Sequence, residues 1–258
     1  MITQLFVAAG GRGKRLGKYT AKSPKSLIEV AGRPIIDHII TVAMDVKIDQ
    51  IVVGVDAGKR ELVRHLPPHV IVRKRCVEPL STCFFRSARD LHPDIICGCN
   101  GDTLFCPDSL KQIIDSLSSD QEAAGAVLLT NVVKPLTTSR WTYWRYRLEE
   151  GVLVEMEAVP GHEIRTDYVI SAFRTEALRK LTEGFTKSYR NWRDMPFACY
   201  SWGWDYILRL LVWKNFRVIG IVTDHPYLNV NYPHDIEEGQ YFFKNPELFR
   251  KLRTIPQD

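Results

Sequence analysis

Short apolar runs rich in β-branched residues recur through the first half of the chain, and segments with helical periodicity separate them. Such runs predict strands, while the periodic segments predict amphipathic helices. The predicted strands are 5–9, 50–55, 69–72, 95–99 and 126–129, and the predicted helices are 34–44, 59–65, 82–91 and 108–117. Because strands that alternate with helices build βαβ units, we expect an α/β protein with a Rossmann-like, mostly parallel central sheet flanked by helices.

The pattern changes after residue 129. Segments 141–148 and 152–156 alternate around a turn at 149–151 and predict an antiparallel hairpin, with a further strand at 168–173. We interpret these strands as a small antiparallel substrate or lid subregion beside the sheet. A helix is expected from Thr175, whose side chain can cap it. The remaining predicted elements are a helix at 205–213, a strand at 216–222 and a helix at 233–243.

The composition is that of an ordinary globular protein, with 258 residues, 45% of them hydrophobic and 25% charged. A net charge of +5, spread along the chain, argues against a nucleic-acid-binding face and favours a small anionic ligand. The apolar run 5–9 is far shorter than the roughly 20 residues of a membrane span. No basic segment precedes it, so a cytoplasmic protein without membrane contact is expected. The six cysteines include no CxxC pair, and a structural zinc site is therefore not expected.

A glycine-rich loop follows the first predicted strand directly, in the run Gly10-Gly11-Arg12-Gly13-Lys14-Arg15. Glycines let the backbone approach a phosphate and turn N–H groups toward it. Because Pro24 disfavours helix at the residue before it, we expect an extended chain up to residue 34 that delivers Lys25 to the phosphates. A nicotinamide-dependent oxidoreductase is the alternative for such a loop. It would place an acidic residue about 20 positions later at a strand end, and no strand is predicted to end there.

These residues resemble the sugar-nucleotide pyrophosphorylases, a family of the nucleotidyltransferase superfamily. The resemblance rests on segments 9–16, 24–28 and 31–36 and extends over most of the chain. It implies that Arg15 neutralises the β- and γ-phosphates of a nucleoside triphosphate and that Lys25 stabilises the transferring α-phosphate. It further implies that the nucleotide is bound by the loop residues Ala9, Gly10, Gly11, Gly13 and Lys14. Lys14 departs from the family, which usually has Thr or Ser there.

Two oxygen-bearing residues are candidates for a magnesium site. The apolar run 95–99 is followed by Asn100-Gly101-Asp102, and open α/β sheets bind ligands at the carboxyl ends of their strands. By resemblance Asp102 binds magnesium and nucleotide, and Asn231, two residues before a proline, completes the metal site. The alternatives are that Asp102 forms a turn and that Asn231 is a loop or cap residue. Asp235 is interpreted as structural, favouring the positive end of a helix.

The base and the acceptor have separate candidate residues. Segment 77–83 resembles the family loop that touches the base, which assigns Glu78 and Thr82 to nucleotide binding; Thr82 as a plain helix cap is equally compatible. The form of this loop favours GTP, and the other four nucleotides stay open. By resemblance Glu157, Arg165 and Asp167 bind the acceptor, although the family's usual Glu-Lys-Pro is absent at 157–160. The aromatic group Trp192, Tyr200, Trp202 and Trp204 is interpreted as core or homodimer surface.

The sequence thus predicts an enzyme that transfers a nucleotidyl group, with Mg²⁺, from a nucleoside triphosphate to a sugar 1-phosphate and releases pyrophosphate. One domain over residues 1–258 is expected, with a nucleotide-binding half at 1–130, an acceptor-binding half at 131–232 and C-terminal helices at 233–258. Its partners are the triphosphate and a phosphorylated, sugar-like acceptor, with a homodimer left open. The alternatives are cytidylyl or uridylyl transfer to another phosphorylated acceptor and a catalytically inactive, nucleotide-sensing relative.

Overall fold

The computed structural model describes residues 1–11, 13–21, 23–56, 58–74, 80–130, 142–160, 167–188 and 203–245. Its strands are β1 (Thr3–Ala8), β2 (Glu29–Val30), β3 (Arg33–Pro34), β4 (Gln50–Val55), β5 (Ile71–Lys74), β6 (Ile95–Asn100), β7 (Thr103–Phe105), β8 (Gly125–Thr130), β9 (Thr142–Glu149), β10 (Val152–Pro160), β11 (Asp167–Arg174), β12 (Val218–Thr223) and β13 (Tyr227–Asn229). Its α-helices are α1 (Ile35–Asp45), α2 (Arg60–His65), α3 (Leu80–Leu91), α4 (Pro107–Ser119), α5 (Thr175–Ser188), α6 (Trp204–Trp213) and α7 (Pro233–Lys244). The predicted elements are confirmed to within about two residues at most of their ends, as is usual for such boundaries.

A nine-stranded sheet in the order β5-β4-β1-β6-β11-β8-β12-β10-β9 organises the fold. Strands β5, β4, β1 and β6 are parallel neighbours, and β8 and β12 are parallel to each other. Strand β11 runs antiparallel between β6 and β8, so the carboxyl ends of those two strands share one edge of the sheet. The predicted mostly parallel α/β sheet is confirmed.

Both faces of the central strands are buried, which explains why they are continuous apolar runs. In β1, Leu5 and Val7 face a core formed with α1, α2 and α4, while Phe6 faces a second core formed with α3, α5 and α6. Successive side chains of a strand point to opposite faces, so this single run contributes to both layers. The sheet is therefore held between two layers of helices, and the loops after β1 and β6 emerge at its carboxyl edge.

The hairpin β9–β10 belongs to the main sheet instead of forming a separate layer. Strand β10 pairs with β12 at Val152 and Ile219, and β9 forms the far edge. Gly220 permits this contact, because a Cβ atom there would lie 2.1 Å from Leu148 Cδ2. The antiparallel subregion is thus an extension of the same sheet, packed through a close approach that periodicity does not reveal.

Two local expectations were wrong. The chain is not extended up to residue 34: it forms 3₁₀ turns at Lys14–Thr20 and Lys25–Leu27 and then the short hairpin β2–β3. Burial of Leu16 explains the first turn, since its N–H donates to Gly13 at 3.0 Å as the side chain enters the core. Thr175 does not cap α5, because its hydroxyl is buried without a hydrogen-bond partner.

Over the described ranges, no helix combines the length and the apolar character needed to cross a bilayer.

Candidate active site

The loops after β1 and β6 lie in contact at the carboxyl edge of the sheet. The Gly101 N–H donates to the carbonyl of Ala8 at 2.9 Å. A Cβ atom at Gly101 would come within 3.0 Å of the Cα and Cβ atoms of Ala9. Glycine is therefore needed for the approach, which places Asp102 beside the glycine-rich loop. Ala9 in turn donates its N–H to Gly54 at the end of β4, at 2.9 Å.

The glycine-rich loop owes its shape to Gly13. Its φ angle of 63° is in the left-handed region, and an added Cβ would lie 2.7 Å from Thr20 Cγ2. The Thr20 hydroxyl donates to the Gly13 carbonyl at 2.9 Å and closes the loop on itself. At Gly11, by contrast, an added Cβ would meet nothing within 4 Å. The backbone there faces open space, and Lys14 at the loop's end is exposed.

Lys25, Asp102 and Asn231 converge from three distant parts of the chain. The Lys25 ammonium, in a residue only 9% exposed, donates to Asp102 Oδ2 and, at 2.9 Å, to Asn231 Oδ1. Asp102 immediately precedes β7, which pairs antiparallel with β13. The Val230 N–H donates to the Asp102 carbonyl at 2.9 Å, so the β7–β13 ribbon fixes Asn231 opposite Asp102. One cation thus contacts both oxygen-bearing side chains.

Arg15 reaches the same point from the glycine-rich loop. Its Nη2 donates to Asn231 Oδ1 at 2.6 Å, and its guanidinium carbon lies 5.4 Å from the centre of the Tyr232 ring. A guanidinium at this distance from an aromatic face gains a cation–π attraction. The side chain is exposed, so an anionic ligand can reach it from the solvent side of the sheet edge.

The arrangement is suited to binding polyphosphate. Two cationic side chains, the open backbone at Gly11 and a hard carboxylate and amide oxygen pair lie at one sheet edge. Charge-assisted donors to phosphate oxygens are shorter and stronger than neutral ones. Oxygen ligands in small number are what Mg²⁺ uses when it is shared with phosphate groups.

The cysteines of β6 take no part in this chemistry. Burial raises the pKa of the Cys97 thiol to about 12. Burial, followed by the neighbouring Cys97 and the charge of Asp102, raises the pKa of Cys99 as well. Since thiolates are the nucleophiles and metal ligands, both residues act as small apolar groups. No group of three or more His, Cys, Asp or Glu side chains that could hold a metal occurs in the described part of the chain.

Of the acceptor residues predicted from the sequence, the structure describes Glu157 and the backbone of Asp167. Glu157 is exposed on β10 and forms an ion pair across the hairpin with Arg145, at 3.7 Å. Asp167 begins β11 opposite Thr130, which places its backbone at the carboxyl edge of β8. Arg165 lies outside the described residues.

The base-binding residues are placed only in part. Glu78 falls outside the described residues, and Thr82 lies in the first turn of α3. Of the aromatic group, Trp204 is 1% exposed and packs edge-to-face on Phe6 and Phe84, which confirms it as core. Trp192, Tyr200 and Trp202 lie outside the described residues.

Sequence reasoning missed two residues at the site. Tyr232 lies beneath Arg15, and Asp235, interpreted as a helix-end acid alone, accepts hydrogen bonds from the backbone N–H groups of Asn231 and Tyr232. A signal was present, because an acidic residue three positions after the residue preceding a helix is typical of a capping box. The pattern did not reveal that the capped backbone is that of a candidate metal ligand.

Comparison with known proteins gives a consistent family. A profile of the MobA-like NTP transferase domain matches residues 5–161. A 62-residue segment, 24% of this chain, is 36% identical to the UTP–glucose-1-phosphate uridylyltransferase AglF of Haloferax volcanii, but the match spans only 26% of that relative.

Two solved structures share the fold along nearly the whole chain. The inositol-1-phosphate CTP transferase from T. maritima has a TM-score of 0.69 and 19% identity, covering 95% of this chain and 97% of that one. A UDP-glucose pyrophosphorylase from Acinetobacter baumannii has a TM-score of 0.70 and 15% identity, with 98% and 97% covered. At these identities the likeness concerns the fold.

Proposed function

Since the chain belongs to the MobA-like NTP transferase domain family and is a nucleotidyltransferase, we propose that it joins the nucleotidyl group of a nucleoside triphosphate to a sugar 1-phosphate. The products are a nucleoside-diphosphate sugar and pyrophosphate. The observation that carries the proposal is the convergence of Arg15, Lys25, Asp102 and Asn231 at the carboxyl edge of the sheet.

The charges of the reactants explain why the reaction requires these groups. A phosphate dianion must attack the α-phosphorus of a triphosphate that carries about four negative charges, so the reactants repel each other. Lys25 is largely buried and held by hydrogen bonds to Asp102 and Asn231, which suits a donor that stabilises the oxygens of the transferring α-phosphate. Arg15 is exposed at the outer rim and is placed to hold the β- and γ-phosphates that leave as pyrophosphate. The acceptor phosphate is itself the nucleophile, so no covalent enzyme intermediate is needed.

Asp102 and Asn231 fit a magnesium ion. Both present an oxygen to one cationic centre, the Lys25 ammonium, and hard oxygen ligands in this number leave room for phosphates and water. Mg²⁺ bound there supplies charge neutralisation of the triphosphate. The chain's own contribution is to orient the two oxygens through the β7–β13 ribbon and to bring Lys25 next to them.

The acceptor class is supported by the relatives and by the sheet edge. The AglF match and the A. baumannii structure are named for glucose 1-phosphate and UDP-glucose chemistry, and the T. maritima structure is named for inositol 1-phosphate. All three concern a phosphorylated polyhydroxylated ring. Asp167 starts β11 at the same edge as the site and remains our candidate for a hydroxyl contact, together with Glu157 and Arg165.

GTP remains our proposal for the nucleotide. Its support is the resemblance of segment 77–83 and the ability of the Glu78 carboxylate to accept from the ring N–H and the amino group of guanine. Uracil offers one ring N–H and no amino donor, which leaves such a carboxylate partly unpaired at a cost of about 1–3 kcal/mol. Discrimination of about tenfold to hundredfold in kcat/KM is expected. If Glu78→Ala leaves the ranking of the triphosphates unchanged, the guanine assignment is wrong and the transferase proposal stands.

A substrate matrix tests the proposal directly. Purified protein with Mg²⁺ is incubated with each of GTP, UTP, CTP, ATP and dTTP against glucose, mannose and inositol 1-phosphates, and pyrophosphate release is followed by a coupled assay. The proposal expects release that depends on both substrates in at least one sugar 1-phosphate pair. Release only with inositol 1-phosphate and CTP would favour the cytidylyl alternative. Binding of a triphosphate without release in any pair would identify a nucleotide-sensing protein and refute the proposal.

A further inference from the structure

Asp235 is a buried carboxylate at the start of α7. The residue is 5% exposed, and its Oδ2 accepts the backbone N–H of Asn231 at 2.7 Å and that of Tyr232 at 2.8 Å. The exposed His234 side chain places its Nε2 atom 3.6 Å from the other carboxylate oxygen of Asp235, Oδ1. A buried carboxylate costs free energy unless hydrogen bonds satisfy it, and the two N–H groups and the helix N-terminus do so here.

The two backbone groups that Asp235 holds belong to the two residues that hold Arg15. The Asn231 Oδ1 atom accepts a hydrogen bond from the Arg15 guanidinium, and the Tyr232 ring lies under the same guanidinium. Asn231 Oδ1 also accepts from Lys25 at 2.9 Å. One carboxylate therefore fixes the backbone that carries a candidate metal ligand, Asn231, and an aromatic ring in contact with Arg15, that of Tyr232.

We propose that Asp235 is a positioning residue for the transfer reaction, which holds Asn231 and Tyr232 so that Lys25 and Arg15 face the triphosphate. This rests on the proposed function and assigns to that same site a residue that touches neither substrate nor metal. Removal of a residue that orients a metal ligand through hydrogen bonds typically lowers metal affinity or activity about tenfold to hundredfold.

The competing explanation is that Asp235 only stabilises α7. Asp108 provides a control for the charge at a helix start, since it too is an acidic residue in the first turn of a helix that begins with proline, although its side chain is exposed. Asp108→Asn should lower the melting temperature without changing kcat or KM. Asp235→Asn keeps one oxygen that can accept an N–H, whereas Asp235→Ala keeps none. A positioning role therefore predicts a graded series in which the Asn variant retains more activity than the Ala variant.

A double-mutant cycle with Asn231→Ala separates the explanations. Each of Asp235→Ala and Asn231→Ala should lower kcat/KM for the triphosphate about tenfold or more. If Asp235 acts through Asn231, the effects of the two substitutions are coupled and do not add. The kcat/KM of the double variant should then be no more than about twofold below that of the less active single variant. The single variants should also lose Mg²⁺-dependent protection of the triphosphate-bound protein against thermal unfolding, and the double variant should lose little more than the more affected single variant. This measurement needs no turnover.

Several results would overturn the inference. Folded Asp235→Asn and Asp235→Ala variants with wild-type kcat, KM and Mg²⁺ dependence would show a purely structural carboxylate. If the fold-losses in kcat/KM of the two single variants multiply in the double variant, Asp235 acts independently of Asn231. If Asp235→Ala does not fold, the cycle is run with Asp235→Asn and the same criteria apply. Wild-type pyrophosphate release is measured alongside, so failure of the proposed function is recognised separately.

Discussion

Removal of the Lys25 ammonium is the perturbation for which the structure supports the most definite magnitude. Lys25→Met keeps an unbranched apolar stem, one atom shorter, and deletes the cation that contacts Asp102 and Asn231. Loss of one pre-positioned donor to a charged transition state costs about 10²–10³ in kcat, or about 2.7–4 kcal/mol. We expect a loss of this size in kcat, with a smaller rise in the KM for the triphosphate.

The stability of this variant is also constrained by the structure. Removing one partner of a fully buried ion pair costs about 3–5 kcal/mol. The Asp102 side chain is 21% exposed, so water can solvate the remaining carboxylate and a loss of about 1–2 kcal/mol is expected instead. The variant should therefore be folded at 25 °C, and thermal unfolding followed by circular dichroism checks this.

Lys18→Met is the matched control, because Lys18 is an exposed lysine in the same 3₁₀ segment as Arg15, beyond the kink at Gly17. It should retain wild-type kcat and KM. Both variants are assayed by continuous pyrophosphate release over a range of triphosphate concentrations. If Lys25→Met keeps its kcat and shows only a raised KM, the lysine binds the ground state alone, and the assignment to the transferring phosphate is refuted.

Three further predictions test the fold and its titrations. A Cβ at Gly98 would lie 2.4 Å from the buried Trp204 ring, so Gly98→Ala should destabilise by about 1–3 kcal/mol through overpacking; an unchanged urea midpoint would contradict the packing. Because the pKa of Cys97 is about 12, its thiol should resist iodoacetamide at pH 8 while the half-buried Cys106 reacts first, as peptide mass spectrometry can show; equal labelling would contradict the burial. Burial lowers the pKa of His38 below its ordinary value of 6.5, so the free energy of unfolding should fall as the pH drops below about 6.5 and the unfolded chain takes up the proton. His38→Gln should show a shallower fall in the free energy of unfolding between pH 5 and 7. An identical pH dependence in the two proteins would refute this.

The layered architecture was predictable because it depends on long, regular patterns. The apolar run at 50–55 matches β4, and the helical segments 59–65 and 108–117 match α2 and α4. Strands buried on both faces and amphipathic helices leave a periodic record in the chain. The site was predictable to the extent that it lies where such strands end: Asp102 follows β6, and Lys25 and Arg15 belong to the connection after β1.

The remaining features depend on tertiary contacts that local patterns do not record. The loop around Gly13 is compact because Leu16 is buried and Thr20 bonds back to it, so the extended chain inferred from Pro24 was wrong. The role of Asp235 depends on which residues its backbone partners face. The meeting of Asn231 with Asp102 follows from the β7–β13 ribbon, which joins residues far apart in sequence.

In the proposed reaction the α-phosphate of the triphosphate goes to the acceptor, and the β- and γ-phosphates leave together as pyrophosphate. Parallel reactions with α-³²P- and γ-³²P-labelled triphosphate, in the pair that releases pyrophosphate most rapidly, measure this directly by separation of the products. We expect the α label in the nucleotide sugar and the γ label in pyrophosphate, with both signals reduced about 10²–10³-fold in Lys25→Met. Appearance of the γ label in the phosphorylated acceptor would show phosphoryl transfer and would contradict it.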